Sequence, residues 1–278
     1  MKTTKLRILS SVLTLALGIL HVGQATAQQS PQPNPALQAA IDGNHRSADN
    51  KARDVYRNPY ETLTFFEIEP HHTVLETWPG TGWYSEILAP YLRDEGTLIA
   101  ATYDRSDEPM LAFMRNSVTM YDRFLESNPE LYGAVVVTEQ LTESQSRMAE
   151  PGTVDRIVDF RNAHNWMAWN AENIVKAWHE ALKPGGVVGL VDHRWPADQP
   201  IVAGNGYIHE QALIDLMEAN GFRFAGRSEI NANPRDTKDH QGGVWMLPPN
   251  LRGVPEEDQA HFLAIGESDR LTMKFVKE

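Results

Sequence analysis

The chain has 278 residues, no cysteine and a formal net charge of -12, from 25 Lys+Arg against 37 Asp+Glu. Without cysteine there are no disulfides, thiolate nucleophiles or Cys-ligated metal centres. A hydrophobic fraction of 41% excludes a disordered chain, and the acidic balance argues against a nucleic-acid partner, whose phosphates need a basic stripe.

In chain order, Lys2, Lys5 and Arg7 precede the apolar run Val12–Leu20, and Ala25-Thr26-Ala27 offers a small-x-small cleavage site. This pattern predicts a secretory signal peptide over 1–27. The run is short against the roughly 20 apolar residues of a membrane span, so cleavage is expected rather than anchoring. Cleavage leaves 251 residues with a net charge of -15 and a periplasmic or secreted protein. No membrane contact is expected beyond this segment, and the oligomeric state is open.

Residues 28–58 read as a Gln/Pro-rich linker and a polar, helix-competent lead-in, interrupted at Asn58-Pro59. The main domain is expected over 59–250, with 251–278 as a tail packed on it in irregular form with one short helix. Within the domain, strands are predicted at Thr73–Thr77, Thr97–Thr102, Ala134–Val137, Val154–Phe160 and Val187–Asp192. Helices are predicted at Trp83–Leu92, Glu108–Leu125, Asn170–Leu182 and Glu210–Asn220, the third stopped by Lys183-Pro184-Gly185-Gly186. Phe222–Ile230 and Val244–Leu247 follow as strands with no helical crossover between them. The alternation implies an α/β, doubly wound, Rossmann-like seven-stranded sheet with an antiparallel edge hairpin.

The informative stretch is Glu76-Thr77-Trp78-Pro79-Gly80-Thr81-Gly82-Trp83. A strand ending in an acid, then a glycine turn and a helix start, lets backbone N–H groups approach a ligand closely. A dinucleotide fingerprint needs a third Gly or Ala three residues after Gly82, where Ser85 stands and fits only loosely.

The stretch resembles the first motif of class I S-adenosylmethionine-dependent methyltransferases. Leu182-Lys183-Pro184-Gly185-Gly186 and Ala219-Asn220-Gly221-Phe222 are similar to that superfamily as well, so the resemblance spans roughly 73–247. More narrowly, the chain resembles a group of exported bacterial methyltransferase-like proteins. That likeness lies in Trp78–Tyr84, Phe160-Arg161-Asn162-Ala163-His164-Asn165-Trp166, Val191-Asp192-His193-Arg194 and Gly266-Glu267-Ser268-Asp269-Arg270. The resemblance implies the class I methyltransferase fold, S-adenosylmethionine as cofactor and methyl transfer to a small molecule. It places Glu76, Trp78, Pro79, Gly80, Thr81, Gly82, Trp83, Asp104, Arg161 and Asn162 around the cofactor. Two positions depart from the superfamily pattern. Trp78 replaces the first glycine of the turn, and Thr102 replaces the acid that binds the ribose, leaving Asp104 as the nearest carboxylate.

Ligands of open α/β sheets bind outside the carboxyl ends of the strands. His164 and His193 are therefore candidate general bases, with Asp192 to orient an imidazole. The bland alternative is that such residues only cap strand ends and helix starts. The loop after the sixth strand adds Asn231, Asn233, Arg235, Asp236, Asp239 and His240. His164, Asp192, His193, His209, Glu210, Asp239 and His240 include metal-type donors but show no diagnostic spacing, so no metal is expected. A degenerate fold that binds a ligand without turnover, or a metal-assisted enzyme on the same scaffold, are the rival readings. Ser85 does not sit in a Gly-x-Ser-x-Gly elbow, so a hydrolase is not supported.

Overall fold

The computed structural model describes residues 33–103, 105, 112–139 and 147–278. The expected signal peptide and Asp104 lie outside the described residues. Everything below concerns the unit Asn34–Glu278. No helix among the described residues is long and apolar enough to cross a membrane.

The chain enters through four helices: α1 (Pro35–Asp42), α2 (Ala48–Lys51), α3 (Asp54–Arg57) and α4 (Pro59–Phe65). Asn34 and Ser47 cap α1 and α2 by accepting backbone N–H bonds from Leu37 and Asn50, and Pro35 starts α1 where no N–H is needed. There follow β1 (Thr73–Thr77), α5 (Ser85–Leu92), β2 (Thr97–Thr102), α6 (Ala112–Ser127), α7 (Pro129–Tyr132) and β3 (Val136–Glu139). Next come β4 (Val154–Phe160), α8 (Ala163–Trp166), α9 (Ala171–Ala181) and β5 (Leu182–His193). The chain closes with α10 (Glu210–Ala219), β6 (Phe222–Ser228), a 3-10 turn (Gly243–Met246), α11 (Glu256–Ile265) and β7 (Arg270–Lys277).

The seven strands form one sheet in the order β3-β2-β1-β4-β5-β7-β6. The first five are parallel, and β7 runs antiparallel to both β5 and β6. The expected seven-stranded sheet with antiparallel edge pairing is therefore present, but one of its strands lies elsewhere in the chain than expected. Val244–Leu247 lies mostly in the 3-10 turn, and the antiparallel strand comes from the C-terminal stretch expected to be irregular. The alternation Leu271, Met273, Phe275 buries that strand in the core.

The remaining differences are local. β3 starts two residues late, because an edge strand with Val136 and Val137 exposed has only β2 to fix its register. β5 begins at once after α9, since Pro184-Gly185-Gly186 is absorbed in an irregular pairing beside Val154 and Arg156 instead of forming a separate turn.

Apolar residues cover both faces. Trp166, Ile174, Val175, Trp178, Leu213 and Met217 pack on one with Leu271, Met273 and Phe275. Leu37, Ile41, Leu63, Phe66, Ile87 and Leu88 pack on the other. The N-terminal helices are thus part of the core. Phe66 lies so close over β5 that a Cβ on Gly189 would meet its ring at 2.3 Å, which leaves room only for glycine.

Candidate functional site

At the carboxyl ends of β1, β4 and β5 a cleft of about 510 Å³ opens. Of the residues expected there, Glu76, Trp78, Pro79, Gly80, Thr81, Trp83, Arg161, Asn162, His164 and His193 line it. Two do not. Gly82 faces away from the cleft, where a Cβ would meet the Phe124 ring of α6 at 2.7 Å. Asp192 lies beneath the imidazoles, fully buried.

The glycine turn works through backbone conformation. Gly80 and Gly82 have φ of 62° and 87°, in the left-handed region that favours glycine. A Cβ on Gly80 would meet nothing within 4 Å, so bare backbone faces open space. Glu76 ends β1 buried, and Ser85 Oγ donates to its Oε2 at 2.6 Å. Ser85 Oγ also pairs with the Tyr121 hydroxyl at 3.0 Å, which ties β1, α5 and α6 together. That explains a serine where a third glycine was sought. Burial raises Glu76 to about 7, against the lesser pull of the Ser85 hydrogen bond.

Asp159 forms a second buried knot. It accepts from Thr77 Oγ1 at 2.6 Å, Trp166 Nε1 at 3.2 Å and the Asn162 N–H at 3.3 Å. Burial raises it to about 7. Asn162 Nδ2 donates in turn to the Thr77 carbonyl at 3.1 Å, so the β4 loop is fastened to the start of the glycine turn.

His164 and Asp192 form a dyad. His164 Nδ1 pairs with Asp192 Oδ1 at 2.9 Å, and the His164 N–H donates to Oδ2 at 2.9 Å. Ring and backbone are thereby both fixed, leaving Nε2 without a partner among the described residues. The His193 N–H donates to Asp192 Oδ1 at 2.7 Å, and its Nδ1 pairs with Ser268 Oγ at 2.5 Å. Burial, then the neighbouring His164 and Arg270, hold His193 well below the usual range and therefore neutral. Donor atoms of His164, Asp192 and His193 lie within 4.8 Å of one another, so a cation could be bridged here. Both Asp192 oxygens already accept hydrogen bonds, however, and a cation would have to displace them.

The candidates at 231–240 after β6 do not line the cleft, although Trp245 further along the same connection does. Asn231 is buried between Thr62 and Thr272. Asn233 donates to the carbonyls of Ile265 and Glu267. Asp236 accepts from Tyr207 and pairs with His240. These groups fasten the segment leading into β7. His209 Nε2 pairs with the Gln199 carbonyl outside the cleft.

Sequence reasoning missed Arg53, Arg57, Ser268 and Arg270, which also line the cleft. Arg270 arrives because the β5–β7 register sets it opposite His193. The stretch Gly266–Arg270 carried the resemblance, which was the available signal.

Beside the cleft lies a second, largely apolar chamber of about 670 Å³, including Tyr103, Met167, Trp169, Ile201 and Val202. Trp78, Phe113, His164, Asn165 and Trp245 line both cavities. Trp78 forms the shared wall. It is buried at φ 44° and stacks on Trp169 at 5.6 Å, with Tyr103 at 4.5 Å.

No protein-family model matches the sequence, and no curated protein matches it. Solved structures do. An S-adenosylmethionine-dependent methyltransferase from Aquifex aeolicus is 14% identical and aligns over 89% of this chain and 100% of its own, with a TM-score of 0.53. The fold is that of class I methyltransferases. Geranyl diphosphate methyltransferase, solved in complex with S-adenosylmethionine, is 13% identical over 87% of this chain and 95% of its own, at a TM-score of 0.54. The (4+2)-cyclase SpnF is 13% identical over 87% of this chain and 91% of its own, at 0.57. At these identities the likeness establishes the fold, and a cyclase among the matches illustrates that the fold alone does not fix the chemistry.

Where the resemblance expects the methionine half of S-adenosylmethionine, the cleft offers bare backbone at Gly80 and the side chains of Glu76, Asn162 and Arg161. At the position where the resemblance expects a ribose-binding acid, Thr102 Oγ1 donates to the Thr138 carbonyl at 3.2 Å. Among the described residues, a cavity of about 10 Å³ lies between Trp78, Thr102, Tyr103 and Tyr121. Asp104, the carboxylate expected there, lies outside the described residues.

Proposed function

We propose that the protein is an S-adenosylmethionine-dependent methyltransferase acting on a small molecule, exported by its N-terminal segment. The observation that carries this reading is the juxtaposition, at one cleft, of the glycine turn after β1 and the dyad of His164 in α8 with Asp192 at the end of β5. Gly80, Thr81 and Asn162 would hold the cofactor, with Glu76 beneath the turn. When bound, it supplies an electrophilic methyl group.

The protein's own contribution is positioning and proton removal. Asp192 fixes the His164 ring and stabilises the imidazolium that forms when Nε2 takes a proton from the acceptor's nucleophilic group. His193, held neutral, leaves His164 without a second positive imidazole beside it. Trp78, Trp169 and Trp245 give the acceptor an apolar wall. The test is release of S-adenosylhomocysteine on incubation with S-adenosylmethionine and a panel of small acceptors. His164→Ala is expected to lose at least 100-fold in kcat with cofactor affinity kept, the usual scale of a general base. Unchanged turnover in that variant would remove the base from His164.

Ligand binding without turnover is the second reading, favoured by Trp78 at the first turn position and by Thr102 at the ribose position. A panel that gives no turnover together with tight binding of a non-cofactor ligand would select it.

A further inference from the structure

The inner end of the cleft carries a charge imbalance that methyl transfer does not require. Arg53 and Arg57 from the N-terminal helices, Arg161 from the β4 loop and Arg270 from β7 meet there. One carboxylate, Glu267, sits among them. It pairs with Arg53 Nε at 2.6 Å, with Arg57 Nε at 3.3 Å and with Arg270. Among the described residues, four guanidinium groups against one carboxylate leave three positive charges uncompensated.

Their donors are uncompensated as well. Arg57 and Arg270 are each 2% exposed, yet among the described residues Arg57 Nη2 and Arg270 Nε have no hydrogen-bond partner, nor does the buried Arg53 Nη2. Arg161 makes no side-chain hydrogen bond or ion pair to a described residue. It is held in the left-handed region at φ 65°, with its N–H bonded to the Val191 carbonyl at 2.7 Å. Burial, then repulsion from Arg270, lowers Arg161 to about 10. Leaving buried donors and charges unpaired is costly, and structures that do so usually hold a counter-ion. The cluster is also braced from behind, since Arg57 and Arg46 lie over the Trp83 ring at 4.5 and 5.0 Å.

We infer that the arginine end of the cleft binds a phosphate-type oxyanion, and that the adjoining apolar chamber takes the hydrophobic body of the same ligand. A carboxylate supplies one negative charge and two acceptor atoms. A phosphate monoester brings nearly two charges and three acceptor oxygens, a closer match to three uncompensated charges and three orphan donors. Guanidinium forks suit that geometry. Ser268, hydrogen-bonded to His193, and the His193 ring line the same end. The apolar part of the ligand has a continuous path past Trp78, His164 and Trp245 into the chamber. There Trp169, Ile201 and Val202 are 51%, 51% and 52% exposed. The oxyanion site does not depend on methyl transfer; where that reading holds, this ligand shares the acceptor's wall at Trp78, Trp169 and Trp245.

The experiment is calorimetric titration of the full chain with inorganic phosphate, then with alkyl phosphate monoesters of rising chain length, at constant ionic strength in chloride. Phosphate should bind saturably. Each added methylene should tighten binding by up to about four-fold while the chain stays inside the chamber. Arg161→Gln should weaken phosphate about 10- to 100-fold, the scale of a charged hydrogen bond. Because Arg161 pairs with no described residue, that variant should keep its melting temperature. Ile201→Asp should flatten the chain-length dependence without changing phosphate itself.

No saturable heat with phosphate, or equal affinity in Arg161→Gln, would overturn the oxyanion site. A flat chain-length series would overturn the apolar arm. Displacement of phosphate by S-adenosylhomocysteine would assign the arginines to the cofactor carboxylate, overturning this inference and leaving the methyltransferase reading intact. Phosphate binding in a protein that binds neither cofactor form would support this inference while removing that reading.

Discussion

Glu76 gives the most quantitative handle on the site. It is 2% exposed and its acidity is displaced from the ordinary 4.5 to about 7, chiefly by burial. In the unfolded chain the carboxyl ionises near its ordinary value. Between the two values the folded state keeps a proton that the unfolded state has lost. The unfolding free energy therefore falls as pH rises through this window and levels off above about 7. The displacement corresponds to about 3 kcal/mol. Asp159, raised from 3.8 to about 7, contributes a fall of the same sign. The Glu76→Gln variant removes the first contribution and keeps the second, since the amide oxygen can still accept from Ser85. Urea unfolding followed by tryptophan fluorescence, from about pH 4 to about pH 8, should show the wild type losing about 3 kcal/mol more than the variant. Parallel profiles would refute the claim that Glu76 is protonated in the fold at mildly acid pH.

Two further outcomes test the packing. Gly82→Ala would place a Cβ 2.7 Å from the Phe124 ring at φ 87° and should cost about 3 kcal/mol, from backbone strain and overpacking together. Gly80→Ala meets open space and should cost about 1 kcal/mol while weakening the ligand, so equal losses by chemical denaturation would contradict the geometry. Phe275→Ala, in a fully buried position of β7, should cost about 3 to 5 kcal/mol. A loss under about 1 kcal/mol would mean that β7 does not sit in the sheet.

The parts of the fold legible in the sequence were those written in contiguous residues. Thr73–Thr77, Thr97–Thr102 and Val154–Phe160 are compact apolar or β-branched runs, and their boundaries are as expected. β7 was not expected because the short apolar run around Val244 also reads as a strand, although Leu271, Met273 and Phe275 alternate plainly in the C-terminal stretch. The glycine turn and the histidines after β4 and β5 were legible because sheet topology dictates where loops converge. The arginine cluster was not. Its members lie at positions 53, 57, 161 and 270, on three separate segments, and no local spacing joins Arg53 and Arg57 to Arg161 or Arg270. Only the β5–β7 register and the packing of the N-terminal helices bring them together. Ser85, read as an imperfect glycine position, proves to be the hydroxyl that satisfies Glu76.

The central claim is that the cleft at the glycine turn receives the methyl donor. Isothermal titration of the protein with S-adenosylmethionine and with S-adenosylhomocysteine tests it most directly. The account predicts saturable one-to-one binding of both, lost in Gly80→Val, where a branched side chain would project from the turn into the cleft. No heat and no thermal shift with either compound, in correctly folded protein, would contradict it.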